Sequence, residues 1–140
     1  MEVPKSRSEY VKSYKDLEVW KKSMDLVVMC YQLTKNFPKN EFYGLAGQLQ
    51  RAAVSVPANI AEGRGRKYSR EFIRHISIAY GSLAELETHI QIAQRLNYID
   101  LVKAGQILKE TAEIGRMLNG LCRSVENRNV PEPRALNPDN

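Results

Sequence analysis

The chain has 140 residues, 43% hydrophobic and 26% charged, with 21 Lys and Arg against 16 Asp and Glu. That length suits one domain whose core needs no disulfide or metal staple, and the balance argues against wholesale disorder. Cys30 and Cys122 are too few for a disulfide framework, and no apolar run approaches the roughly 18 residues of a membrane span.

The opening run MEVPKSRSEYVKS has no apolar centre, so no secretory leader is expected and the cytoplasm is the default compartment. Residues 1–13 and 127–140 are polar and aperiodic, the latter with Pro131, Pro133 and Pro138, and are expected to be flexible. The folded domain is expected over residues 14–126. No stretch alternates as a half-buried strand would.

The first helix is expected from about Asp16 to Asn36. Leu17, Trp20, Met24, Val27, Tyr31 and Thr34 recur at 3,4 spacing as a seam, and Leu26, Cys30, Leu33 and Phe37 form a second row. Pro38 and the polar Lys39-Asn40-Glu41 stop it. The second helix is expected from about Glu41 to Glu62. Leu45, Leu49, Val56 and Ile60 are its large apolar residues, and five alanines allow close approach of a neighbour. Pro57 removes a backbone donor, while Gly63 and Gly65 read as terminators. Gln48, Ser55, Asn59 and Glu62 form a polar row suited to a buried network that fixes helix register.

The third helix is expected from Ser69, as its cap, to Asn97. Phe72, Ile76, Ala79, Leu83, Leu86, Ile90 and Ala93 give the most regular repeat in the chain. Asn97-Tyr-Ile-Asp100 reads as a turn with Asp100 capping the fourth helix, which runs to about Val125. That helix carries one seam through Leu101, Ala104, Leu108, Thr111, Gly115, Leu118, Cys122 and Val125. A second stripe holds Ile107, Ile114, Met117 and Leu121. One bundle core uses one stripe, so the second is a candidate oligomer interface, unless the core face is simply wide. Short connections make neighbouring helices antiparallel, which gives an all-α, up-down four-helix bundle.

Chemistry has few handholds. Two histidines and no Glu-x-x-His exclude the di-iron bundle pattern, so no metal, cofactor or catalytic residue is expected. Glu85 and His89 are spaced for a surface contact. Both cysteines fall in apolar rows, as small buried hydrophobes do. The charge is more informative. Residues 64–75 hold Arg64, Arg66, Lys67, Arg70 and Arg74 against Glu71 alone, a local +4, whereas residues 16–63 and 76–125 are each balanced. A basic turn feeding a helix N-terminus suits phosphate, and Tyr68 could stack on a base. The competing reading is a solvated turn whose arginines pair with Glu62 and Glu71. In the phosphate reading Arg66 and Lys67 are the cations expected to be least tied up in helix contacts.

Tyr14-Lys-Asp-Leu-Glu-Val-Trp20, Phe37-Pro38, Glu41-Phe-Tyr-Gly-Leu45, Gln48-Leu-Gln-Arg-Ala-Ala-Val-Ser55 and Asn59-Ile-Ala-Glu-Gly63 together resemble one family. It comprises bacterial four-helix-bundle proteins encoded in intervening sequences of 23S ribosomal RNA genes. The accessory variability protein of diversity-generating retroelements is similar to that group. Gln50 departs from the pattern, where a basic residue would be expected before Arg51, and this weakens a second basic site. The resemblance implies a ring-shaped homo-oligomer, a pentamer, without catalytic activity. For the retroelement relative it implies association with nucleic acid and a reverse transcriptase. The expectation is therefore a non-enzymatic, oligomeric nucleic-acid-binding protein, RNA preferred, that contacts mainly phosphates. The alternative is an oligomeric scaffold for a protein partner such as a polymerase.

Overall fold

The computed structural model describes residues 13–128. Within them are four α-helices, α1 (Glu18–Thr34), α2 (Leu45–Arg64), α3 (Ser69–Arg95) and α4 (Leu101–Arg128). Single 3-10 turns at Tyr14–Asp16 and Lys39–Glu41 precede α1 and α2. Among the described residues there is no strand. Each helix packs on its sequence neighbours and α1 closes against α4, so the bundle is a square in chain order. The interface of α2 with α3 is the most extensive.

The helix ends follow from local chemistry. α2 starts later than the apolar pattern suggests, because Lys39–Glu41 winds as a 3-10 turn and Gly44 takes the N-cap position. Glu41 Oε1 then accepts the Leu45 amide at 2.9 Å, capping the helix from outside it. α3 begins at Ser69 itself, with Tyr68 at the cap position and no side-chain cap. Its far end is a Schellman closure. Asn97 adopts φ 64°, the Tyr98 amide donates to Ala93 O at 2.9 Å and the Asn97 amide to Gln94 O at 3.0 Å. Asp100 caps α4 as expected, its Oδ1 accepting the Lys103 amide at 2.8 Å. α4 continues through Asn127 and Arg128, past the expected boundary at 126. The rest of the segments expected to be flexible lies outside the described residues.

The repeat on α3 is the core stripe. Ile76, Ala79, Leu83, Leu86, Ile90 and Ala93 are all buried, with Phe72 packed at the edge. Two other expectations need correction. On α1 the core is the expected second row, Leu26, Cys30 and Leu33 with Phe37 just past the helix, extended by Val19 and Ser23, whereas Met24 and Tyr31 of the expected seam are exposed. Ser23 fits an apolar row because its hydroxyl donates to Val19 O at 2.6 Å within the helix. On α4 the core takes residues from both stripes, since Ile107 (4% exposed) and Ile114 (0%) are as buried as Ala104, Thr111 and Leu118. Ile107 and Ile114 are part of the protein's own core and offer no surface to another copy. Met117 and Leu121 are half-buried against it. The wide-face alternative describes this helix, and Leu101, at the head of the expected seam, is exposed.

Candidate nucleic-acid interface

The up-down path brings the start of α1, the end of α2, the start of α3 and the end of α4 to one end of the bundle. α2 does not stop at Gly63, as the glycine suggests, but runs to Arg64 with Gly65 at the cap. Gly63 is there because α3 crosses too closely for a side chain. A Cβ on it would lie 2.6 Å from His75 Cβ and 3.0 Å from Phe72 Cδ1. This contact fixes the point at which the turn carrying the basic residues leaves the bundle.

A cavity of about 280 Å³ opens at this end. Its floor is apolar, from Leu17, Phe72, Leu121 and Val125, and its rim holds Arg64, Arg66, Lys67 and Arg128 with Tyr68 and Ser69. Among the described residues lining it there is no carboxylate. Three of the five basic residues singled out in the sequence thus converge. Arg70 and Arg74 are exposed on α3, one turn apart, and do not line the cavity. Arg128 is the residue that sequence reasoning missed. It lies at the edge of an aperiodic tail, and only the antiparallel return of α4 places it beside the turn.

The rim is partly committed. Arg66 forms an ion pair with Glu62 one turn back, so it is not among the least engaged cations. Arg128 Nη2 donates to Ser124 Oγ at 3.0 Å. Lys67 Nζ stands 5.6 Å from the centre of the Tyr68 ring, a cation–π contact between two exposed side chains. Both guanidinium contacts use only one edge of a five-donor fork, so each arginine keeps donors for phosphate. The uncapped start of α3 adds backbone amides on the same side.

The polar row of α2 splits at the bundle surface. Gln48 and Glu62 are exposed, whereas Ser55 and Asn59 face α3. Ser55 and Ser82 share a hydrogen bond of 2.8 Å, and Asn59 Oδ1 lies 3.0 Å from His75 Nδ1. Asn59 Nδ2 donates to Ser55 O and Oγ at 2.9 and 3.0 Å. Gln50 has a structural task, donating to Thr34 Oγ1 of α1 at 3.0 Å.

Reactive groups are buried or engaged. Burial pushes the Cys30 thiol up to about 12, and also raises Cys122, so neither approaches a thiolate at neutral pH. His89 is buried with Nε2 3.4 Å from Glu85 Oε2 and with Nδ1 lacking a protein partner. Among the described residues no cluster of His, Cys, Asp and Glu could hold a metal. No helix among them is long and apolar enough to cross a membrane.

The sequence profile of the 23S rRNA-intervening sequence proteins matches residues 15–120, the whole bundle except the last turns of α4. The chain belongs to that family. No protein of curated function matches it. A crystal structure of a protein of unknown function from the S23 ribosomal protein family of Bacteroides thetaiotaomicron superposes with a TM-score of 0.70 at 24% identity. The match covers 75% of this chain and 95% of that one, and at this identity it supports the four-helix fold alone. The intervening-sequence family match spans the basic turn but stops short of Arg128, so the cavity joins residues inside and outside the matched region.

Proposed function

We propose that this protein is a non-enzymatic, oligomeric RNA-binding protein of the cytoplasm that grips phosphates with the basic end of its bundle. The observation that carries the reading is the convergence of Arg64, Arg66, Lys67 and Arg128 on one cavity rim. The family's association with ribosomal RNA genes favours RNA as the ligand. The sequence carries no base-reading motif, so binding is weakly selective and salt-sensitive. Assembly into a ring, a pentamer in the relatives this chain resembles, multiplies the effect, because each copy adds a formal +5 and later contacts become intramolecular.

The test is fluorescence anisotropy with a structured RNA at several salt concentrations, comparing wild type with Arg66→Gln/Lys67→Gln. Neutralising the two should weaken binding to unrelated RNAs alike. It should also flatten the slope of log affinity against log salt by about 0.7–0.9 for each phosphate the variant no longer neutralises. An unchanged affinity and slope would remove this end of the bundle as the site. A scaffold for a protein such as a reverse transcriptase is the second reading. It draws on Phe42 and Tyr43, two exposed aromatics with no place in the phosphate site.

A further inference from the structure

The floor of the basic cavity has no task in gripping phosphate. Leu17, Phe72 and Leu121 are half-buried and Val125 is buried, so the bundle core leaves part of this apolar surface open to the cavity. A phosphate keeps its water and gains nothing from such surface. Two rings stand at the same place. Tyr68, 58% exposed, and Phe72 sit one turn apart at the start of α3, and both line the cavity. The Glu71 and Phe72 amides return to Tyr68 O at 3.1 and 3.2 Å, which leaves the Ser69 and Arg70 amides without an acceptor inside the helix.

We propose that the cavity seats one unpaired nucleotide, its base against the apolar floor and the Tyr68 ring, its phosphates among the rim cations. The inference rests on the RNA-binding reading above and names the part of an RNA which that site takes. Three observations favour this occupant. A nucleotide is flat and apolar on the faces of its base and anionic at its phosphate, which matches an apolar floor under a basic rim. Among the described residues that line the cavity, four are cations and none is a carboxylate. The volume of about 280 Å³ stands at the small end of ligand sites, which run from about 300 to 1,000 Å³, and so suits one nucleotide rather than a run of them.

Lys67 Nζ, 5.6 Å from the centre of the Tyr68 ring, places a cation beside the stacking surface. Every base has a face to stack, so the seat tolerates any sequence. It discriminates by pairing instead. A base in a duplex must first leave its stack and its partner, which a base in a single strand need not do. Charge alone predicts the reverse order, because a duplex presents its phosphates more densely.

Fluorescence anisotropy of the full chain at one salt concentration tests the proposal, with a blunt RNA duplex and an unstructured single strand of equal phosphate count. The single strand should bind about tenfold more tightly or better. Tyr68→Ala should weaken the single strand by about 5- to 150-fold and leave the duplex nearly unchanged, because the rim charge is intact. Leu121→Ser, also neutral, should act in the same direction through the floor. The helical circular dichroism signal checks the folding of both variants, and Tyr68 is exposed enough to be replaced without loss of packing.

Duplex binding as tight as that of the single strand would overturn the seat, and so would a Tyr68→Ala variant with wild-type affinity for the single strand. A loss of affinity at Tyr68 with none at Leu121 would put the base outside the cavity and overturn it as well. Hexyl phosphate that displaces the single strand as well as uridine monophosphate does would mean that the floor takes any apolar anion, and the proposal fails. Each of these outcomes leaves the phosphate reading in place. That reading is scored by Arg66→Gln/Lys67→Gln, and wild-type binding of both RNAs by this variant would remove the site and the seat together.

Discussion

The Tyr98 hydroxyl donates to Glu41 Oε2 at 2.8 Å across 57 positions of sequence, joining the α3–α4 turn to the turn that starts α2. Because Glu41 Oε1 also caps α2 through Leu45, one carboxylate anchors three chain segments. The Leu45 amide and then the Tyr98 hydroxyl hold the Glu41 carboxyl below its ordinary 4.5, and the carboxylate raises Tyr98 above 10.0. Glu41 therefore contributes stability in full above pH 4.5, and the contribution is lost as pH falls through the lowered folded value. Tyr98 contributes below pH 10.0, and its share is lost as pH rises through the raised one. Denaturation midpoints measured across pH should show a shallower acid limb for Glu41→Gln and a shallower alkaline limb for Tyr98→Phe. Variants that keep the wild-type pH dependence would count against this link.

Glycine-to-alanine substitutions on the helices should have opposite signs. At Gly81 nothing lies within 4 Å of a new Cβ, so alanine should stabilise by up to about 1 kcal/mol through helix propensity. At Gly63 the methyl would press on His75 Cβ, and forcing α2 from α3 should cost about 1–3 kcal/mol. Urea unfolding of the two variants provides the comparison.

Ile114 and Leu121 should also behave differently, although they lie on one stripe of α4. Ile114→Ala leaves a cavity in the bundle core and should cost about 2–5 kcal/mol. Ile114→Asp should unfold the chain rather than yield a folded, dissociated subunit, because its carboxylate would have no water and no partner. Leu121 is half-buried in the floor of the basic cavity, so Leu121→Ser should leave a folded protein. Circular dichroism of Ile114→Asp decides the first point. A folded monomer would mean that the residue serves a subunit contact after all.

Removing Asn59 should be felt through His75. Asn59→Ala leaves the buried Nδ1 side of His75 without its partner, at about 1–3 kcal/mol. A double-mutant cycle with His75→Ala should return a coupling of about 0.5–3 kcal/mol. A coupling near zero would mean that water serves the ring as well as the amide does.

Helix number and order were legible in the sequence because each helix carries its own apolar period, and antiparallel sense because the connections are short; α3 even displayed its core residues one by one. The facing of α1 and α4 was not. Ser23 looks polar as a letter but lies in the core row of α1, its hydroxyl satisfied by Val19 O, and on α4 the expected seam with Thr111 shares the core with Ile107 and Ile114 of the second stripe. The large residues Met24 and Tyr31 drew the α1 seam toward a face that the single chain leaves in water. The basic turn was visible as a run of charge. Pairing of its arginines with Glu62 was one of two readings, but Arg66 was expected to be among the least engaged and is the one that pairs, and Arg128 could be placed only once α4 was folded back beside it.

The close crossing at Gly63 and the Ser55–Ser82 and Asn59–His75 hydrogen bonds also bear on the order in which the chain folds. All of them join α2 to α3, which are linked by the four-residue connection 65–68, so their loop closes at small entropic expense. Contacts between α1 and α4, including Lys22 with Glu113 at 3.3 Å, must instead bring together segments about ninety residues apart. The α2–α3 hairpin should therefore be the folding nucleus, with mutations along its seam slowing refolding and those on α1 mainly hastening unfolding. Its amides should be the last to exchange with deuterium in the native protein. The α2–α3 turn that carries Arg66 and Lys67 would then hang from the most persistent part of the molecule, which keeps those cations in register while the outer helices breathe.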